Sequence, residues 1–166
     1  MLRALGFRFT DKEGHELIGG GEILEHIHKI DNTLALPQLN ECQFTVACDV
    51  NNPLYGPNGA AHVFAPQKGA DPAMVERLDK GLKHFSEVAF NSLHTTEDYA
   101  KSPGAGAAGG LGFGFIAFLS ARLERGIEMV LDAIGFDQLI KGASLVITGE
   151  GRVDSQTLTG KTPFGV

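Results

Sequence analysis

Tryptophan is absent from the chain, cysteine occurs twice, and basic residues number 14 against 20 acidic ones, for a formal charge of −6. The deficit of Lys and Arg removes the basic field that a nucleic acid or an anionic membrane surface requires, so neither is an expected partner and any anionic ligand needs a local site. Cys42 and Cys48 are six positions apart. On a strand rising about 3.3 Å per residue they stand about 20 Å apart, well beyond the ~7 Å Cα limit for a disulfide, and they match no zinc or redox spacing. The first ten residues, MLRALGFRFT, hold no apolar h-region and no cleavage site. A secretory signal is therefore not visible, and a reducing cytoplasm is the expected compartment. No internal repeat and no low-complexity linker is present.

What is present is a globular composition, 43% hydrophobic and 20% charged, with 22 glycines that call for tight turns or close backbone approach. At 166 residues the chain has the size of one domain. Met1–Leu5 reads as the end of a helix stopped by Gly6, and Thr162 with Pro163 reads as the start of another. These two cut elements give the expectation that residues 1–166 are a single α/β domain excerpted from a longer protein. Between them, Phe7–Phe9 and ELIGGG flank a charged turn at Asp11–Gly14, the pattern of a short hairpin. QFTVACDV (Gln43–Val50) and ASLVITGE (Ala143–Glu150) are apolar runs of the kind found in a mostly parallel sheet covered by helices. Asp71 and Pro72 open a helix to Asn91 with an apolar stripe of Val75, Leu78, Leu82, Phe85 and Val88. Glu76 with Lys80, and Asp79 with Lys83, fall at i,i+4 on its wet face. GIEMVLDAIG gives a further helix ending at Gly135, followed by a short helical piece. The order of elements is that of an α/β fold.

The segment PGAGAAGGLGFG (Pro103–Gly114) matches G-x-G-x-x-G at Gly104, Gly106 and Gly109. A dinucleotide turn needs a strand just before the first glycine and an acidic residue about 20 positions later at the end of a second strand. Here HTTEDYAKSP precedes it, and Glu124 and Glu128 fall among helical residues, so a Rossmann-type, NAD-binding oxidoreductase is disfavoured. Pro103–Ala121 carries no charge over nineteen residues, yet its glycines supply little transfer energy, and a buried helix fits better than a spanning one. Two readings stay open. In one, a glycine loop feeds a helix over Ala107–Leu123 and offers an anion site; in the other, the glycines only permit tight packing.

TGEGRVDSQTLTGKT (Thr148–Thr162) follows the second apolar run, at the strand end where open α/β sheets place ligands. Glu150 and Asp154 can hold a metal, Arg152 and Lys161 can neutralise phosphate, and Ser155, Thr157 and Thr159 bring hydroxyls. It is not a P-loop: Ser155 replaces the first glycine and Pro163 removes a donor. A solvated loop with incidental charges is the alternative. In ACDVNNPLYGPNGAAHVFAPQKGA (Ala47–Ala70), Asp49 suits a general base or magnesium ligand, Asn51 and Asn52 are orienting amides, and Lys68 is a charge clamp. An Asx-rich turn around Pro53 explains the same residues structurally. His15, His26, His28, His62, His84 and His94 show no metal spacing beyond a weak His26/His28 pair.

Taken in order and spacing, ACDVNNPLYGPNGAAHVFAPQKGA, PGAGAAGGLG with GIEMVLDAIGFD, and LVITGEGRVDSQTLTGKTP resemble the bacterial type I glycerate kinases, over essentially the whole chain. Tyr55 stands where members often carry cysteine. The resemblance implies the middle part of a two-domain enzyme with its active site in the interdomain cleft. Upstream of Met1 it implies an N-terminal α/β part with a GGSATNDGG-like loop, and a further C-terminal segment beyond Val166. Transfer of the ATP γ-phosphoryl group to D-glycerate, with magnesium, is the implied reaction, with the 2-hydroxyl as acceptor. Asp49 is then the candidate base or magnesium ligand, joined at the metal by Glu150 and Asp154. Arg152 and Lys161 engage phosphate or the glycerate carboxylate, and Gly104, Gly106, Gly109 and Gly110 line the anion loop. Asn51, Lys68, Ser155 and Thr157 assist binding. The residues 1–166 alone are expected to be inactive, with self-association into a homo-oligomer left open; a non-catalytic domain that binds a small anion or a partner chain is the competing class.

Overall fold

The computed structural model describes residues 1–149 and 166. Helices and short strands alternate along it in the α/β manner. Strand β1 (Arg8–Thr10) pairs antiparallel with β2 (Lys29–Asp31), Phe9 opposite Ile30. Strand β3 (Thr45–Ala47) pairs in parallel with β4 (Arg122–Glu124), Val46 opposite Leu123. The described strands thus form two pairs, one of each sense.

The long connection from β3 to β4 carries α1 (Ala60–Phe64), α2 (Pro72–Leu93) and α3 (Ala107–Leu119). Helix α2 starts where its cap and proline direct it: the Asp71 carboxylate accepts from Met74 N at 2.8 Å, a contact worth about 1 kcal/mol in such caps. Val75, Leu82 and Phe85 on its stripe are buried, with Leu78 and Val88 half-buried against the same core. Phe85 stacks on Phe118 with centroids 5.9 Å apart and meets Phe113 edge-on at 5.7 Å, while Phe7 meets Phe118 edge-on at 5.3 Å. Such pairs add about 0.5–1.5 kcal/mol each beyond the area they bury. After β4, α4 (Gly126–Ile134) is closed by Gly135 in the left-handed conformation, and α5 (Phe136–Leu139) follows. Both helices lie where the sequence puts them, and neither has a buried residue. No described helix is long and apolar enough to cross a membrane.

Four local expectations are corrected. The charged turn after β1 forms, with Asp11 Oδ1 accepting from His15 N at 2.8 Å and Thr10 bridging Glu16, but ELIGGG does not supply the partner strand. That partner is β2, because Ile30 joins Phe9 in the core, at 5% and 7% exposure, whereas three glycines offer no side chain to bury. The apolar run from Ala143 forms no strand within its described part, residues 143–149. Leu145 and Ile147 stand 76% and 86% exposed there; a run of β-formers becomes a strand only beside a ladder partner, and β3 takes β4 instead. The glycine-led helix ends at Leu119 rather than Leu123, since Phe44 O and Cys48 N draw residues 122–124 into the ladder beside β3. Finally, Asp79 turns away from Lys83 and bonds the loop before α1.

Candidate functional site

Gly104–Gly112 is two structures in one. Its first half is buried by close packing: a Cβ on Gly106 would lie 2.2 Å from the backbone oxygen of Pro53, and one on Gly104 would lie 2.7 Å from Leu123 Cδ1 and 2.9 Å from Cys48 Sγ. Gly106 N donates to Asn52 O at 2.9 Å. Its second half opens only at Ala108 and Gly109, with Gly110 half-buried and Gly112 buried; Ala108, Gly109 and Gly110 all take positive φ, at 51°, 76° and 99°, inside the first turn of α3. A Cβ on Gly109 would meet nothing within 4 Å.

The left-handed run is a wall between two pockets, because Ala108 and Leu111 line both. One, of about 240 Å³, lies between the carboxyl end of β3 and α3, with Asp49, Val50 and Gly112 on its walls. The other, of about 670 Å³, is bounded by Gly109 and Gly110, by Gly19 and Gly20, and by Arg3 at its edge. The size of the second suits a small-molecule ligand. Arg3 also faces Glu16 at 3.4 Å.

Asp49 leaves β3 at its carboxyl end, exposed, and its Oδ1 accepts from Gly126 N, the first residue of α4, at 2.9 Å. The carboxylate thus sits at the positive end of a helix and on a pocket wall together. Asn51 and Lys68 are exposed and line neither pocket; Lys68 ends the 3-10 turn Pro66–Lys68. Asn52 Nδ2 donates to Asn58 O at 2.8 Å, a bond within its own loop. Glu150, Arg152, Asp154, Ser155, Thr157 and Lys161 lie outside the described residues. Among the described residues no group of three His, Cys, Asp or Glu side chains is placed to hold a metal ion. Both cysteines are free thiols.

The loop between Asn51 and Gly59 is seated at several points. Leu54 is fully enclosed, with its N–H donating to Ala100 O at 2.8 Å and its carbonyl accepting from Ala60 N at 3.0 Å. Gly56 N donates to Asp79 Oδ1 at 2.8 Å. The 3-10 turn Tyr99–Lys101 that receives Leu54 is itself braced by Lys101 Nζ on Asp98 Oδ2 at 2.8 Å, a hydrogen bond and charge that raise the Lys101 pKa above its ordinary value. Asp79 is the residue that sequence reasoning missed. Its spacing held the signal: Val75, Asp79, Leu82 and Ser86 follow one another by four, three and four residues, which is the buried row of α2 rather than the wet face.

Comparison with known proteins places these features in a lineage. The profile of the Glycerate kinase family matches residues 1–166. Glycerate 2-kinase of Escherichia coli (strain K12) is 48% identical over 166 residues, with all of this chain and 43% of the relative covered. Glycerate kinase of Bacillus subtilis (strain 168) has the same identity and coverage. A crystal structure from Salmonella typhimurium LT2, assigned as glycerate kinase 2, superposes with a TM-score of 0.87 at 47% identity, over 99% of this chain and 44% of that one. The chain therefore spans less than half the length of the relatives it matches, and along its whole length it belongs to the glycerate kinase family.

Proposed function

We propose that this chain is part of an ATP-dependent kinase that phosphorylates D-glycerate on its 2-hydroxyl, giving 2-phosphoglycerate and ADP. The observation that carries the reading is the unbroken match of all 166 residues to glycerate kinases at 48% identity; the name of the Escherichia coli relative supports the 2-position. In the reaction the glycerate hydroxyl oxygen bonds to the γ-phosphorus as the bond from that phosphorus to the bridging oxygen of ADP breaks, and the hydroxyl proton is lost. Such transfer asks the protein chiefly for positioning and charge stabilisation.

Within that reading Ala108 and Gly109 present the exposed face of the wall to an anionic group, Gly110 is half-buried beside them, the Gly109 and Gly110 amides are held by Gly106 O, and buried Gly104 and Gly106 shape the wall from behind. Asp49 stands across the smaller pocket as base or magnesium ligand. Magnesium takes hard oxygen donors and supplies charge neutralisation at the phosphates. The Asp49 carboxylate fits that preference on the described side, and Glu150 and Asp154 are the further carboxylates the sequence offers. Arg152 and Lys161 are assigned to phosphate or to the glycerate carboxylate, a planar partner for the Arg fork. Asn51, Lys68, Ser155 and Thr157 keep supporting parts in binding. The activity belongs to the complete protein that carries this chain, and residues 1–166 alone are expected to show little turnover.

The test is glycerate-dependent ADP formation by the complete protein and by its Asp49→Asn variant. Asparagine retains an Oδ1 acceptor for Gly126 N, so the fold should persist while turnover falls by about 10²-fold or more. Near-normal turnover of Asp49→Asn removes Asp49 from the chemistry, and NAD reduction or simple anion binding without ADP formation overturns the kinase reading.

A further inference from the structure

Asp79 lies on the half-buried side of α2, 23 positions from the glycine amide it holds, and its side chain is only 17% exposed. Its Oδ1 accepts from Gly56 N at 2.8 Å, and its Oδ2 stands 3.9 Å from His62 Nε2 of α1. That anchor acts on a loop with little freedom elsewhere. Gly56 has φ +95°, and a Cβ on Gly59 would lie 2.4 Å from the Tyr55 backbone, so the turn doubles back on itself. Four and three residues before Gly56, the carbonyls of Asn52 and Pro53 press on Gly106: the first accepts its N–H, and the second leaves no room for a side chain there. The loop is therefore held between two fixtures, Asp79 at its tip and Gly106 at its base. The segment running into its base carries Asp49 and Asn51.

We propose that Asp79 is a positioning residue for the phosphoryl-transfer site: by accepting the Gly56 amide, it keeps Asn52 and Pro53 seated on Gly106 and so fixes the distance between Asp49 and the Ala108–Gly110 wall. The proposal rests on the kinase reading above. The Gly56 amide is half-buried, so removing its acceptor costs about the net worth of the hydrogen bond plus part of a desolvation penalty. The loop tip then relaxes toward water, and the strain passes to the seat on Gly106. Asparagine keeps an acceptor oxygen in the same place and should restore the anchor without the charge.

The experiment compares Asp79→Ala and Asp79→Asn in the complete protein by steady-state kinetics and by hydrogen exchange at the Gly56 amide. Asp79→Ala should raise KM for glycerate or ATP about tenfold, with kcat per folded molecule changed less than about threefold. Asp79→Asn should stay within about twofold of the parent in both. A merely structural role would lower the folded fraction and leave KM alone. In the parent the Gly56 amide should exchange at least about tenfold more slowly than an open peptide, and the Ala variant should lose that protection. Unchanged KM in Asp79→Ala, equal damage in both variants, or an unprotected Gly56 amide in the parent would each overturn the proposal; the last needs no variant to fold. A parent protein without glycerate-dependent ADP formation refutes the kinase reading instead, and in that case Gly56 exchange decides the anchor by itself.

Discussion

At the scale of single residues, Gly106 and Gly109 have unlike parts despite sharing one glycine-rich stretch. Gly106→Ala drives a Cβ to 2.2 Å from Pro53 O, a backbone atom that cannot swing aside, and should cost about 1–3 kcal/mol of stability, as overpacking does. Gly109→Ala meets open space but must hold φ at +76°, a strain of about 1 kcal/mol. Denaturant midpoints measured beside KM should separate them: Gly106→Ala mainly lowers the midpoint, and Gly109→Ala mainly raises KM for ATP. Equal loss of midpoint in both would make the whole stretch packing. The sequence could not tell the two glycines apart, because their surroundings in it have the same composition; what differs is that Pro53, some 50 positions away, presses on Gly106 while Gly109 faces open space. The place of Asp49, just past a run of β-formers, was legible, while its bond to Gly126 N, 77 positions on, was not. Asp79 was hidden behind an i,i+4 pattern that fits a solvated face equally well.

At the scale of elements, signals written within one segment were readable and those requiring a distant partner were not. Helix α2 follows from Asp71, Pro72 and its stripe, and α4 from its periodicity and Gly135. The strands depended on who would pair with whom. β1 found Lys29–Asp31 across an 18-residue interval (residues 11–28), and β4 lies in a stretch whose residues read as helix until Phe44 and Cys48 claim it. The helices are also tied to the turns between strands: Glu25, in the 3-10 turn Gly21–His26, accepts from Arg77 Nε of α2 at 2.7 Å. That hydrogen bond, aided by the guanidinium charge, holds the Glu25 carboxyl below its ordinary value of 4.5. Because the folded-state value is the lower one, the pair's stabilisation is present above the unfolded value and is lost as pH falls through the folded one. Glu25→Gln should therefore unfold earlier than the parent at neutral pH, with the two converging as the pH falls through the depressed folded-state value of Glu25. A gap that is constant from pH 7 to pH 3 would assign the effect to packing rather than to the charge.

At the scale of the whole molecule, the described residues supply one core, built around Phe7, Phe9, Phe85, Phe113 and Phe118, with the glycine wall and Asp49 at its edge. The α/β class was readable from the order of elements, and the family from three motifs in register. The division of labour between those motifs was not, since it depends on which segments face one another across a pocket. The central claim is that these residues serve as the corresponding part of a glycerate kinase. Its most direct measurement is exchange: the segment of Escherichia coli glycerate 2-kinase that matches residues 1–166 at 48% identity is replaced by this chain, and ADP and 2-phosphoglycerate formation are followed with D-glycerate as substrate. The account predicts a folded chimera that makes both products in equal amounts and loses most of its turnover on Asp49→Asn. A folded chimera that binds ATP and glycerate yet forms neither product would contradict it.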